Sequence, residues 1–196
     1  MHELVIASNN SGKIQEIRAL VGDISLLSLN DIGFHNEIEE PFHTFEQNAL
    51  AKTEAVYQFC GKNVFADDSG LCVNALGGEP GVHSAYFGGL PRSDKNNNLK
   101  LLEALNGSID RSAFYKAVLC LKWENEVYFF EGICRGSITE QPRGENGFGY
   151  DPLFLPESFD QTFAELALST KNQLSHRGQA IKKMVAFLKD HTFRQS

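Results

Sequence analysis

No apolar run in this chain of 196 residues approaches the roughly 20 residues that span a bilayer. Its start, MHELVIASNNSGK, lacks the basic opening and long apolar core of a signal peptide. A basic excess is missing too. The net charge of −7 argues against a general surface for duplex nucleic acid, which would be repelled by phosphate, but leaves room for a local basic pocket. The four cysteines, Cys60, Cys72, Cys120 and Cys134, contain no C-x-x-C pair, and the six histidines show no zinc-ligand spacing. They read as reduced, mostly buried thiols. No repeat, low-complexity block or linker breaks the chain. The expectation is one soluble, cytoplasmic domain over residues 1–196, with no nucleic-acid or membrane partner; at 42% hydrophobic it can bury a proper interior.

What is present alternates between strand and helix. Leu4-Val5-Ile6-Ala7 is a continuous apolar run, as expected of a strand covered on both faces. SNNSGK follows, and then Ile14, Ile17, Leu20 and Val21 at helical spacing. Val64-Phe65-Ala66 predicts a second short buried strand, ending at Asp67-Asp68 before a Ser-Gly turn. Residues 112–122 and 127–137 predict a long hairpin around Glu124-Asn125. A last helix is expected from Ser175 to about Asp190, with Ile181, Met184, Val185 and Leu188 on one face. The class is α/β or α+β with a mixed sheet.

Residues 44–60 predict a helix, because Thr44 with Gln47 three positions on fits a capping box. At 100° per residue Phe45, Ala49, Val56 and Phe59 share an apolar face, and Asn48 and Lys52 fall on it too. A lysine in such a stripe either snorkels to water or meets an anion.

Several stretches can carry chemistry. Ser8, Asn9, Asn10, Ser11, Gly12 and Lys13 lie where a strand hands over to a helix, so backbone N–H groups, the positive helix end and an ammonium can face an anion. The stretch is neither a Walker A loop nor a dinucleotide fingerprint, and a plain N-capped helix start is the other reading. The acids cluster as Glu39-Glu40 and Asp67-Asp68, oxygen ligands that suit Mg²⁺. Exposed turn acids are the alternative for the first pair. Strand alternation puts Asp67 and Asp68 on opposite faces, so only one looks into any given pocket. In GENGFGYDP, three glycines surround Phe148, Tyr150 and Asp151, offering a flexible backbone, an aromatic face and a carboxylate, or else simply a packed turn. SHRG puts His176 and Arg177 at a helix N-terminus, where positive charge is misplaced unless an anion or ligand lies near; Lys171 is just upstream. A solvated pair is the alternative. Together the stretches describe a nucleoside triphosphate site using Mg²⁺.

The ordered set SNNSGK, EE…TFEQNALAK, ADDSGL, LGGEPGVHSA, FGYDP, AEL and SHRGQA resembles the inosine triphosphate pyrophosphatase family, especially its bacterial dITP/XTP pyrophosphatase branch. The likeness runs from Ile6 to about Leu188. It departs at SNNSGK, where the family usually has T-G-N-x-G-K: Asn9 stands in place of Gly, a change Asn's tolerance of left-handed angles would accommodate. The resemblance implies an elongated two-lobed α/β fold with a long central mixed sheet, a substrate cleft between the lobes, and a homodimer. It implies Mg²⁺-dependent hydrolysis of ITP, dITP and XTP at the α–β phosphoanhydride, giving the monophosphate and pyrophosphate. Carried over by position, Asp68 is the catalytic acid and metal ligand, Glu39 the other metal carboxylate, and Ser69 a substrate contact. Residues 8–13 and Lys52 serve the triphosphate, and Phe148, Gly149, Tyr150, Asp151, Lys171, His176 and Arg177 bind the base and substrate. Two other readings stay open: a pyrophosphatase for modified pyrimidine triphosphates, and a non-catalytic nucleotide-binding module. A phosphatase with an aspartyl nucleophile is disfavoured, since Ser8-Asn9-Asn10 stands where D-x-D is needed.

Overall fold

The computed structural model describes residues 3–22 and 24–193. Its strands are β1 (Glu3–Ile6), β2 (Ser25–Leu27), β3 (Val64–Val73), β4 (Ser112–Trp123), β5 (Glu126–Ile138) and β6 (Phe154–Pro156). They form one six-stranded sheet in the order β2-β1-β3-β4-β5-β6. β1 pairs in parallel with both β2 and β3, and β5 pairs antiparallel with β6, so the sheet is mixed as expected. The helices are α1 (Ser11–Arg18), α2 (Phe45–Cys60), α3 (Asp94–Ala104), α4 (Leu168–Leu174) and α5 (His176–Phe193). The parallel pairs require crossovers, and α1 and α2 lie in the connections that supply them. Glu124 and Asn125 both have positive φ (50° and 72°), the requirement of the tight two-residue turn that joins β4 to β5.

The chain divides into two compact units. The first runs to Asp68 and takes up again over 117–132 and from Arg177 onward; the second comprises Ser69–Lys116 and Ile133–His176. The boundaries fall inside β3, β4 and β5 and at the start of α5, not in linkers.

In the first unit the pleat sorts side chains between two layers. Leu4, Ile6 and Phe65 pack with Ile17 of α1 and with Ile181, Met184 and Leu188 of α5. Val5, Ala7, Val64 and Ala66 pack with Val56 of α2, Leu29 and Phe34. Alternate residues of one strand therefore serve opposite cores, which is why the sequence shows an unbroken apolar run. The second unit has its own core, with Leu71, Val73, Tyr115, Leu101, Leu105, Phe154 and Phe163 among its members.

Two expectations need correction. β3 does not stop at the aspartates, and Ser69-Gly70 is not a turn: the strand continues to Val73. Gly70 is required there because a Cβ would lie 2.1 Å from the carbonyl oxygen of Gly81. Phe59, placed on the apolar face of α2, is 52% exposed and meets Phe34 edge-on, because the packed stripe of α2 runs through Val56 instead.

Candidate active site

The alternation that sorts the two cores also decides the fates of the aspartates. Continuing the register of β3, Asp67 points with Phe65 toward α1 and α5, and Asp68 points with Ala66 toward α2. Each helix presents a cation at that level. Lys13 Nζ lies 3.0 Å from Asp67 Oδ2, and Arg177 Nε lies 3.0 Å from the same oxygen. Arg177 also donates through Nη1 to Glu16, a buried acid on α1. On the other side Lys52 Nζ is 2.9 Å from Asp68 Oδ1 and 3.2 Å from Glu40 Oε1, and it donates to the Asp67 carbonyl at 3.1 Å. Lys13 Nζ donates to that same carbonyl at 3.3 Å. Lys52 therefore does not snorkel. It is buried against carboxylates.

Lys13, Lys52 and Arg177 thus face Glu16, Glu40, Asp67 and Asp68. Among these seven side chains the acids outnumber the bases by one, and burial bears hardest on Asp68. Burial opposes ionisation of both aspartates. At Asp67 the Arg177 and Lys13 charges overcome it and hold the carboxyl well below the usual range. At Asp68 burial prevails over Lys52 and Lys13, with Glu40 adding repulsion, and pushes the carboxyl up to about 6. Asp68 Oδ2 is buried and has no hydrogen-bond partner.

That imbalance has a measurable consequence. The folded-state value of Asp68 lies above the ordinary carboxylate value of about 3.9, so its ionisation costs stability as pH rises through the window from about 4 to about 6. Asp68→Asn cannot ionise. Its stability relative to the parent should therefore improve across that window by up to about 3 kcal/mol and stay level above it, as urea unfolding at pH 4.5 and pH 7.5 would measure. A difference that does not change with pH would contradict this account of Asp68.

SNNSGK opens α1 as a capped turn. Asn10 Oδ1 accepts from the Lys13 backbone N–H at 3.1 Å, and Ser8 Oγ accepts from the Asn10 N–H at 3.2 Å. Asn9 is not among the described residues with positive φ, so the position occupied by Gly in the resembling family makes no left-handed demand here. Ser69 is the single residue of β3 that is not fully buried, next to Asp68.

The second unit holds the other predicted set. Asp151 Oδ2 accepts from the Phe148 N–H at 2.9 Å and from Lys171 Nζ at 2.6 Å, and Lys171 also lies 5.1 Å from the Phe148 ring centroid. Gly147 is needed because a Cβ there would fall 2.0 Å from Asp151 Oδ2. Tyr150 is buried in the core and donates its hydroxyl to the Ser84 carbonyl at 2.8 Å, so of the loop's two aromatics only Phe148 remains half-open. His176 is buried, stacked on Tyr115 at 4.6 Å. Lys171 and His176 thus belong to this unit, while Arg177 belongs to the Asp67 network of the first.

Among the described residues no group of three His, Cys, Asp or Glu side chains is placed to hold a metal. Asp68 and Glu40 meet at one ammonium, and the unbonded Asp68 Oδ2 is an available hard-oxygen donor, which fits an ion that takes one or two carboxylates and completes its shell with water and phosphate.

Comparison with known proteins shows the family. The Ham1 family model matches residues 4–187. The chain belongs to the Ham1 family. It is 48% identical to the dITP/XTP pyrophosphatase of Flavobacterium johnsoniae, over 95% of this chain and 97% of that one. It is 44% identical to the Bacillus subtilis dITP/XTP pyrophosphatase, over 96% and 98% respectively. The Ham1 protein of Staphylococcus aureus superposes with a TM-score of 0.88 at 42% identity, covering 96% of this chain and 99% of its own.

At the first acidic pair it is the second residue, Glu40, that meets the ammonium of Lys52. Glu39, the position chosen by analogy, is exposed and takes part in no ion pair among the described residues; its neighbour Glu40 reaches Lys52. The reason is local. Asn48 on α2 donates to the Phe42 carbonyl at 3.1 Å and accepts from the Phe42 N–H at 3.0 Å, fixing the segment that carries Glu40. Asn48 therefore acts as a tether. Glu16 was missed altogether: nothing distinguishes it in sequence from Gln15, since its partner lies 161 residues away.

Proposed function

We propose that this chain hydrolyses deaminated purine nucleoside triphosphates (ITP, dITP and XTP) at the α–β phosphoanhydride, releasing the nucleoside monophosphate and pyrophosphate. The observation that carries the reading is the placement of Asp68 and Glu40 around Lys52, with Lys13 opposite. It is a concentration of hard-oxygen donors and ammonium groups in one unit. Asp68 is the base that orients or deprotonates the attacking water; a carboxyl near 6 is well matched to proton transfer at neutral pH. Lys13 and Lys52 stabilise charge that develops on the pyrophosphate leaving group. Asp68 and Glu40 would hold Mg²⁺, which when bound neutralises phosphate charge and aligns the anhydride. Asp67, Arg177 and Glu16 keep the two lysines and β3 in register.

Lys171, Phe148 and Asp151 bind the base. A 6-oxo purine presents an acceptor where adenine presents an amino donor, so donors built for O6 are left unpaired by ATP. The assembly is read as a homodimer acting in the cytoplasm. Among the described residues no helix is long and apolar enough to cross a membrane.

Pyrophosphate release across a nucleotide panel tests the reading. With Mg²⁺, ITP, dITP and XTP should exceed ATP in kcat/KM by about a hundredfold or more, and omitting the metal should remove turnover. A preference for pyrimidine triphosphates, or tight ITP binding without turnover, would overturn it.

A further inference from the structure

We infer that Asp94 and Asn98, two residues one turn apart on α3, are positioning residues that set the pose of the Phe148 loop and so the nucleobase selectivity of the enzyme. This rests on the functional reading above and adds to it a part of the protein outside the carboxylate and ammonium site. Asp94 Oδ2 accepts from the Gly149 N–H at 2.7 Å, and Asn98 Nδ2 donates to the Gly149 carbonyl at 3.0 Å. One peptide position is thus gripped at both its donor and its acceptor. Gly149 has φ +64° and no side chain, so nothing of its own can fix it between Phe148 and Tyr150. The grip from α3 supplies that constraint.

The rest of the loop is tied equally tightly. Asp151 accepts from the Phe148 N–H, Lys171 pairs with Asp151, and the Tyr150 hydroxyl is anchored on Ser84. An exposed glycine-rich segment is thereby held in one conformation, which lowers the entropy cost of docking a flat ligand on Phe148.

α3 itself is anchored on its other flank. Asn97 accepts from the Gly88 N–H at 2.6 Å and donates to the Ala85 carbonyl at 3.1 Å, Lys100 lies over the Phe87 ring at 4.6 Å, and Leu101 is fully buried. Gly88 comes so close that a Cβ would fall 2.6 Å from the backbone of Asn96. The helix is a fixed support, and a displacement at Asn98 or Asp94 passes directly to Gly149.

The orientation of the Asn98 amide is unambiguous, because its nitrogen must face the Gly149 carbonyl. Its oxygen is then buried with no partner. Leaving a buried acceptor unbonded is unfavourable, so Asn at this place is not explained by local stability. A role in holding Gly149 explains it.

The test uses the full-length protein and the isosteric change Asn98→Asp, which swaps the donor for an acceptor facing a carbonyl. Steady-state pyrophosphate release should show KM for ITP rising by about tenfold with kcat changing much less, and the ITP-to-GTP ratio of kcat/KM falling about fivefold or more. Asp94→Ala should do the same, and Asp94→Asn, which keeps the acceptor, should restore most of the parental ratio. A lowered melting temperature with KM and the ITP-to-GTP ratio unchanged would overturn the inference and leave the contacts purely structural. Should Asn98→Asp fail to fold, Asp94→Ala against Asp94→Asn makes the same comparison. The parent protein run alongside separates the two layers: no ITP turnover by the parent strikes the functional reading, whereas parental turnover with unaltered variants strikes only the role of α3.

Discussion

Asp68→Asn is expected to lower kcat for ITP by about a thousandfold or more while leaving the protein folded. The substitution keeps the shape of the side chain and its hydrogen bond to Lys52, but removes the proton acceptor and one anionic oxygen. Both proposed duties of Asp68 fail together, since an amide neither accepts a proton at neutral pH nor ligates Mg²⁺ with comparable strength. The control is contained in the same variant. Asp68 ionises at a stability cost in the resting protein, so at neutral pH the inactive variant should be at least as stable as its parent. Loss of turnover accompanied by a stability gain is the signature of a group strained for function. Near-parental turnover with Mg²⁺ present would remove Asp68 from the mechanism.

Arg177→Met should cost about 3–5 kcal/mol of folding stability, the largest structural effect expected of any single change in the network. The guanidinium lies 3.0 Å from Asp67 and also donates to Glu16, and all three groups are buried. Removing it leaves Asp67 with Lys13 but takes from buried Glu16 the guanidinium that pairs with it. Combining Arg177→Met with Glu16→Gln should therefore recover a large part of the loss, because the stranded charge is gone as well. Arg177→Lys should remain substantially destabilised, since a single ammonium cannot reproduce the fork that meets two carboxylates at once. Urea unfolding of the single and double variants measures all of this. Additive losses in the double variant would show that Glu16 and Arg177 are not coupled.

How much of this was legible in advance depends on the range of the interaction concerned. The capping of α2 by Thr44, the Glu124-Asn125 hairpin and the helical face of α5 are local, and each follows from neighbours within a few residues. The odd placement of Lys52 on an apolar stripe was visible too, and its anion was found. What the spacing of residues could not supply was the distinction between Glu39 and Glu40. The Asn48 amide clamps Phe42 across a helix start, and in that segment Glu40, not Glu39, pairs with Lys52. The supposed turn at Ser69-Gly70 failed for a similar reason: a glycine adjacent to a serine signals a turn in isolation, but here it marks a strand passing close to the Gly81 carbonyl.

The sequence by itself determined the α/β class, the ordered motifs that identify the family, and the opposite facing of Asp67 and Asp68. These rest on periodicity and on residue order, which the chain carries without folding. Tertiary structure alone decided which cations meet each aspartate, that Glu16 and Arg177 close one network, and that α3 reaches Gly149. Those partners are brought together by packing of elements far apart in the chain, with Arg177 110 residues from Asp67 and Asn98 51 residues from Gly149. Electrostatic and hydrogen-bond energies fall off over a few ångströms in space, and distance along the chain does not enter them.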